Sequence, residues 1–172
     1  ETNHKFIDWK DHFVFDTEKG IKSFKPKTVI LALGGSSWAK LGSDGKWDEI
    51  LKSKDIDLNQ FKPANVGVQI KWSKFMNKYF GEPLKNIKIS SGKLTSRGEA
   101  LITKSGLEGG GVYEVSTALR EGGYFEIDLF PNFGVKYISN LLSKPRQKNS
   151  IGNHLRKTLN LSGARMALVN ET

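Results

Sequence analysis

Apolar and polar positions alternate at period two over Lys5-Phe-Ile-Asp-Trp-Lys10 and again over His12-Phe-Val-Phe-Asp16, with a polar break between them. That alternation predicts a pair of half-buried strands, and Glu18-Lys-Gly20 predicts the next turn. Thr28-Val-Ile-Leu-Ala-Leu33 breaks the alternation, being continuously apolar up to Gly34-Gly35. This is the pattern of a strand covered on both faces in an α/β sheet. Between Asp44 and Lys54 the period lengthens, because Trp47, Ile50 and Leu51 fall at the i, i+3, i+4 spacing of a helix face. Phe61-Lys-Pro63 then predicts a linker.

Beyond Val66 the texture changes. Short apolar segments at 66–70, 87–90, 98–103 and 124–129 predict strands broken by turns, with a helical turn at 73–79. Strands this short and this closely spaced suit a small barrel or sandwich. Gly109-Gly-Gly111 opens a predicted helix over 112–120, whose apolar stripe is Val112, Val115 and Leu119. After Phe130-Pro-Asn132, helices are predicted over 135–142, 150–159 and 164–169, with Pro145 and Gly163 as punctuation and Asn160-Leu-Ser-Gly163 as a tight turn. The fold class expected from this order is α+β.

Composition narrows the chemistry. The chain has 172 residues, 37% of them hydrophobic, enough for one ordinary domain or two small ones. It contains no Cys, so disulfides, thiolate metal sites and a Cys nucleophile are excluded. His4, His12 and His154 are dispersed and form neither a metal-ligand pattern nor a Ser-His-Asp arrangement. No apolar run approaches the roughly 20 residues of a membrane helix, and the first residues lack the pattern of a signal peptide. A cytoplasmic setting without membrane attachment is the expectation. Trp38, Trp47 and Trp72 are expected as core or interface anchors, and His154 as a surface or capping residue.

Net charge is +9, and residues 133–172 contribute seven Lys and Arg against the single Glu171. Two interpretations remain open: a solvated basic surface, or a phosphate-binding face of Lys148, Arg156, Lys157 and Arg165 in a nucleic-acid-binding module. Aromatic interleaving, which single-stranded nucleic acid favours, stops after Phe133 and Tyr137.

Two glycine-rich segments are candidate sites. The first follows the apolar run, Ala32-Leu-Gly-Gly-Ser-Ser-Trp-Ala-Lys-Leu-Gly-Ser-Asp44. Small residues at the carboxyl end of a strand allow a ligand to approach the main chain, although an ordinary strand-to-loop turn has the same spacing. The second is Gly106-Leu-Glu-Gly-Gly110, leading into a helix. It is either an anion-binding helix N-terminus or a plain helix entry in which Glu108 complements the dipole.

The segment Val29-Ile-Leu-Ala-Leu-Gly-Gly35 resembles the internal "ATGG" strand of flavoproteins with two dinucleotide-binding domains. Its continuation Ser36-Ser-Trp-Ala-Lys-Leu-Gly-Ser-Asp-Gly45 resembles the bacterial BaiN-like flavoproteins, relatives of aminoacetone oxidase. The likeness runs on through Phe61-Lys-Pro-Ala-Asn65, Pro83-Leu-Lys-Asn86, Arg97-Gly-Glu99, Gly106-Leu-Glu-Gly109 and Asn153-His-Leu-Arg-Lys157. The resemblance implies an internal part of an FAD-dependent oxidoreductase. Residues 1–60 would be the end of an FAD-binding α/β sheet, residues 61–132 an inserted β-barrel and residues 133–172 a small helical subdomain. It implies FAD contacts at Ala32, Leu33, Gly34, Gly35, Ser36, Trp38, Leu41, Gly42, Ser43 and Asp44. Gly106, Leu107, Glu108, Gly109 and Gly110 would form a loop on the substrate or flavin side. The implied partners are a small-molecule substrate, the remaining FAD-binding segments and NAD(P)H as a redox partner, with no nucleic acid. Neither GxGxxG nor GxxxxGK[ST] occurs in the chain, and Leu33 stands where the broader pattern has Thr. Helical units of the C-terminal kind also resemble helix–two-turn–helix folds of ribosomal and repair proteins.

Overall fold

A computed structural model describes residues 2–171, which divide into two compact units, one up to Pro63 and one from Ala64 onward. In the first unit β1 (His4–Trp9), β2 (Phe13–Thr17) and β3 (Gly20–Phe24) form an antiparallel meander with β2 at the centre. Phe6 lies opposite Phe15, Trp9 opposite Phe13 and Phe13 opposite Phe24. Their rings meet on one face, with centroids 5.8 Å apart for Phe6–Phe15 and 5.5 Å for Trp9–Phe13. Cross-strand aromatic pairs of this kind stabilise an antiparallel sheet. A register shift between Phe6 and Asp8 keeps Trp9 on the same face as Phe6, although three positions separate them. Helix α1 (Trp47–Lys52) buries Leu51, and just beyond it Lys54 Nζ reaches Asp8 on β1 at 2.6 Å.

Two expectations for this unit change. Strand β3 was not expected, because its apolar residues Ile21 and Phe24 are three apart and hide the period of two. The apolar run at 28–33 is not a strand, and Val29, Ile30 and Leu31 are 40%, 87% and 44% exposed. A strand buried on both faces needs a neighbour on each side, and among the described residues nothing pairs with this run. Its hydrophobicity encodes burial without specifying the partner.

The second unit is built on a five-stranded antiparallel sheet of β4 (Val68–Gln69), β5 (Pro83–Ser91), β6 (Leu94–Thr103), β7 (Gly106–Glu108) and β8 (Glu126–Asp128), in the order β4-β7-β6-β5-β8. The sheet curls into a half-barrel. Alternate positions Leu84, Ile87, Ile89, Ala100, Ile102 and Leu107 supply its buried face, joined by Met76 from a 3-10 turn at Lys74–Tyr79 and by Val112 and Val115. A bulge at Lys85–Asn86, where Asn86 has φ +57°, restores the inward phase between Leu84 and Ile87. Trp72 packs on this core and donates its indole N–H to the Thr103 carbonyl at 2.8 Å.

The helix expected over 112–120 is two short ones, α2 (Gly110–Tyr113) and α3 (Ser116–Arg120). The break at Val115 (φ −101°, ψ 6°) leaves Val112, Val115 and Ser116 all buried, and the Ser116 hydroxyl accepts the Val66 N–H. Helices α4 (Val135–Leu142), α5 (Ile151–Leu159) and α6 (Gly163–Glu171) follow. Ser150 caps α5 by accepting the Asn153 N–H, and Asn160 ends it in the left-handed conformation. Helix α6 brings Ala164 and Leu168 to the core and is fixed by Arg165, whose guanidinium donates to the carbonyls of Asn86 (3.2 Å) and Leu129 (2.5 Å). Among the described residues no helix is long and apolar enough to cross a membrane.

Candidate functional site

In the first unit, residues 34–45 form a loop that closes on itself. Gly34 has φ +77°, and a Cβ there would stand 2.8 Å from Ser43 Cβ. Gly45, with φ +76°, is pressed against Ser36 in the same way. Trp47 donates its indole N–H to the Gly34 carbonyl at 3.1 Å and meets Phe61 edge-on, which fixes the base of the loop. Gly34 is therefore demanded by the chain's own Ser43, whereas the sequence suggested ligand approach as the reason. Gly35 differs: a Cβ there would meet nothing within 4 Å. Its main chain is open to an incoming group.

Around that opening, Ala32 and Ser36 are exposed, Leu33 and Ser43 half-buried, and Gly42 exposed with φ +125°. A 3-10 turn at Ala39–Leu41 follows Trp38, and both Trp38 (74% exposed) and Leu41 (83%) present apolar surface to solvent. Trp38 is thus no core anchor among the described residues, unlike Trp72. Asp44 accepts the Lys46 N–H, and that bond followed by the Lys46 ammonium holds its carboxyl below the ordinary range. It remains a solvated carboxylate that closes a turn.

The second segment, in the other unit, is mostly structural. Gly106 and Leu107 are buried in β7, paired with Gln69 and Val68 on one side and with Thr103 and Ile102 on the other. Only Glu108 and Gly110 are exposed, with Gly109 half-buried between them. The Gly109 carbonyl accepts the N–H groups of Val112 and Tyr113, opening a helix of four residues. One turn carries little of the macrodipole on which an anion site would rest, so the anion-binding alternative loses its physical basis. The missed signal was β7 itself, too short for any periodicity to reveal.

Titratable groups offer little acid–base chemistry here. His154 directs Nε2 toward the Leu142 carbonyl at 3.3 Å, a cap on the end of α4. No group of three or more His, Asp or Glu side chains poised for a metal ion occurs among the described residues. Of the four cations considered for phosphate, Arg165 is committed to backbone carbonyls, and Lys157 donates to Asn149.

Residues 62–170, more than half of the chain, match the family model of the HI0933-like protein barrel and H2TH domain. The chain belongs to this family. The HI0933-like barrel and H2TH family is linked to FAD-dependent oxidoreductases, and the half-barrel followed by α4–α6 is its structural content here. No curated protein matches the chain. As for the flavin associated with the family, the residues present fit a contact through the open Gly35 main chain and the exposed faces of Trp38 and Leu41. The sequence holds no glycine-rich cradle for the pyrophosphate.

Proposed function

We propose that this chain is an internal part of a BaiN-like FAD-dependent oxidoreductase, supplying one wall of the flavin site and the substrate-side insert. The family match over residues 62–170 carries this reading, and the resemblance of residues 29–45 to an internal flavoprotein strand extends it to the first unit. Residues 1–60 then belong to the FAD-binding sheet, 61–132 to the inserted barrel and 133–172 to the helical subdomain. The unpaired apolar run at 28–33 supports the assignment, since such a run is stable when strands supplied by other segments flank it.

FAD, when bound, supplies the electron transfer, with NAD(P)H as redox partner and a small molecule as substrate. The chain's own residues bind and orient. The Gly35 main chain allows close approach, Ser36 offers a hydroxyl, and Trp38 and Leu41 cover apolar parts of the cofactor against water. Glu108 and Gly110, exposed on either side of the half-buried Gly109, form a rim on the substrate side.

The 172-residue chain alone is expected to be colourless when purified, because one loop cannot hold a dinucleotide. The same region expressed with its flanking coding sequence is expected to carry FAD, released on denaturation, and to show a GxGxxG upstream and a second glycine-rich flavin segment downstream. Flanks lacking both motifs, or tight stoichiometric flavin on the chain alone, would overturn the proposal.

A further inference from the structure

A concave feature of the second unit contains none of the residues assigned above to a flavin or substrate. It is a cleft of about 930 Å³ between the 3-10 turn at Lys74–Tyr79, the first half of α5 and the face of α6. Gly152 sets one edge: a Cβ there would lie 3.2 Å from Met166 Cε, so α5 and α6 approach closely at that point. We propose that this cleft binds a small organic carboxylate with an apolar body, such as an aryl or short alkyl acid.

Size, lining and charge agree on that class. The volume lies in the range of small-molecule sites, roughly 300–1,000 Å³. Met166, Tyr79 and Phe75 give it an apolar wall, and Phe75 stands 81% exposed. Lys78 and Arg156 bring two cations to the same space, and neither pairs with a carboxylate among the described residues. Arg156 is oriented by Asn153, whose Oδ1 accepts from Nη1 at 3.2 Å, and the Lys78 ammonium lies 5.0 Å from the Tyr79 ring centroid. The one carboxylate in the lining, Glu171, accepts from the N–H and hydroxyl of Ser73 and keeps its negative charge, so that Lys78 and Arg156 together outweigh it by one positive charge. The remaining positive charge is free for a ligand, and an apolar body accounts for the exposed aromatic wall. A polyanion tracking a surface would need neither the concavity nor Phe75. The inference does not depend on whether the chain serves a flavoprotein.

The test uses the full chain labelled with ¹⁵N and titrated separately with phenylacetate and with its neutral isostere phenylacetamide. Shifts are expected to cluster at 73–79, 150–156 and 162–171, with phenylacetate binding about tenfold more tightly, as a charge-assisted hydrogen bond provides. Lys78→Met with Arg156→Met should bring phenylacetate down to the level of phenylacetamide. Phe75→Ala, which truncates an exposed ring and spares the core, should weaken both probes. Equal binding of the two probes, no shift in these segments, or full phenylacetate affinity in either variant would overturn the proposal.

Discussion

Gly34 and Gly35 are neighbours with opposite constraints. A side chain at 34 would meet Ser43 and would have to adopt a left-handed backbone, whereas a side chain at 35 would project into open space. Substitutions at the two positions therefore separate folding from cofactor approach. If the complete protein carries FAD as proposed, Gly35→Val is expected to weaken its retention by about tenfold or more with little change in melting temperature, since a steric clash of roughly 1–3 kcal/mol falls on the ligand alone. Gly34→Ala is expected to lower the melting temperature as well, because the strain falls on the loop. Bound flavin per protein and thermal unfolding distinguish the two, and full flavin in Gly35→Val would remove that main chain from the site. A stricter case is Gly106, where φ is +143° and a Cβ would sit 1.9 Å from the Val68 carbonyl oxygen. Gly106→Ala should cost about 3–5 kcal/mol in urea unfolding of the chain, the sum of backbone strain and overpacking at the β4–β7 pairing. A loss below 1 kcal/mol would mean that β4 is not held in this register.

Among the elements, those with a self-contained signal were legible in the sequence and those specified by a neighbour were not. Helix α4 runs over the predicted residues, and α5 begins after its predicted Ser150, because an amphipathic stripe and a capping hydroxyl are local features. Strand β7 and the break between α2 and α3 arise from pairing with Val68–Gln69 and from burial of Val115 and Ser116, neither of which periodicity records. At the candidate site, the paired glycines are legible as a sequence feature, while the self-closure of Gly34 onto Ser43 depends on a residue nine positions away. The end of α6 adds a pH-sensitive contact that spacing could not reveal. Glu171 accepts from the hydroxyl and N–H of Ser73, which hold its carboxyl below the ordinary range. A pKa lowered on folding stabilises the native state above the unfolded value, roughly 4.3 for Glu, and the contribution is lost as pH falls through the folded value. Thermal unfolding followed from pH 7 to acid should fall more steeply for the natural chain than for Glu171→Gln, which keeps the shape and loses the proton-linked charge. Parallel pH profiles would show that this contact does not contribute to acid stability.

Over the whole molecule, the positive charge has to be accounted for by where it is used rather than by its total. Of the seven basic residues after position 132, Arg165 is spent on the Asn86 and Leu129 carbonyls and lies over the Phe130 ring, fastening α6 to the sheet. Lys157 is occupied with Asn149, and Arg156 lines the cleft beside Lys78. Phe133 and Tyr137, the aromatic residues a nucleotide base could use, stack on each other at 5.2 Å, so their facing surfaces are already taken. What remains is a scatter of exposed lysines and Arg146, which suits a solvated surface better than a groove that tracks phosphates. RNA should accordingly bind the chain with a dissociation constant on the order of 1–100 μM at physiological salt and without sequence preference, as counterion release alone provides. The slope of log K against log salt should correspond to few neutralised phosphates, at about 0.7–0.9 per contact. Lys148→Glu with Lys157→Glu should reduce this slope and leave no selective binding to abolish. Submicromolar, sequence-selective binding at 150 mM salt that vanishes in that double variant would instead place the chain's function on its basic helices, because nonspecific counterion release cannot distinguish one RNA sequence from another.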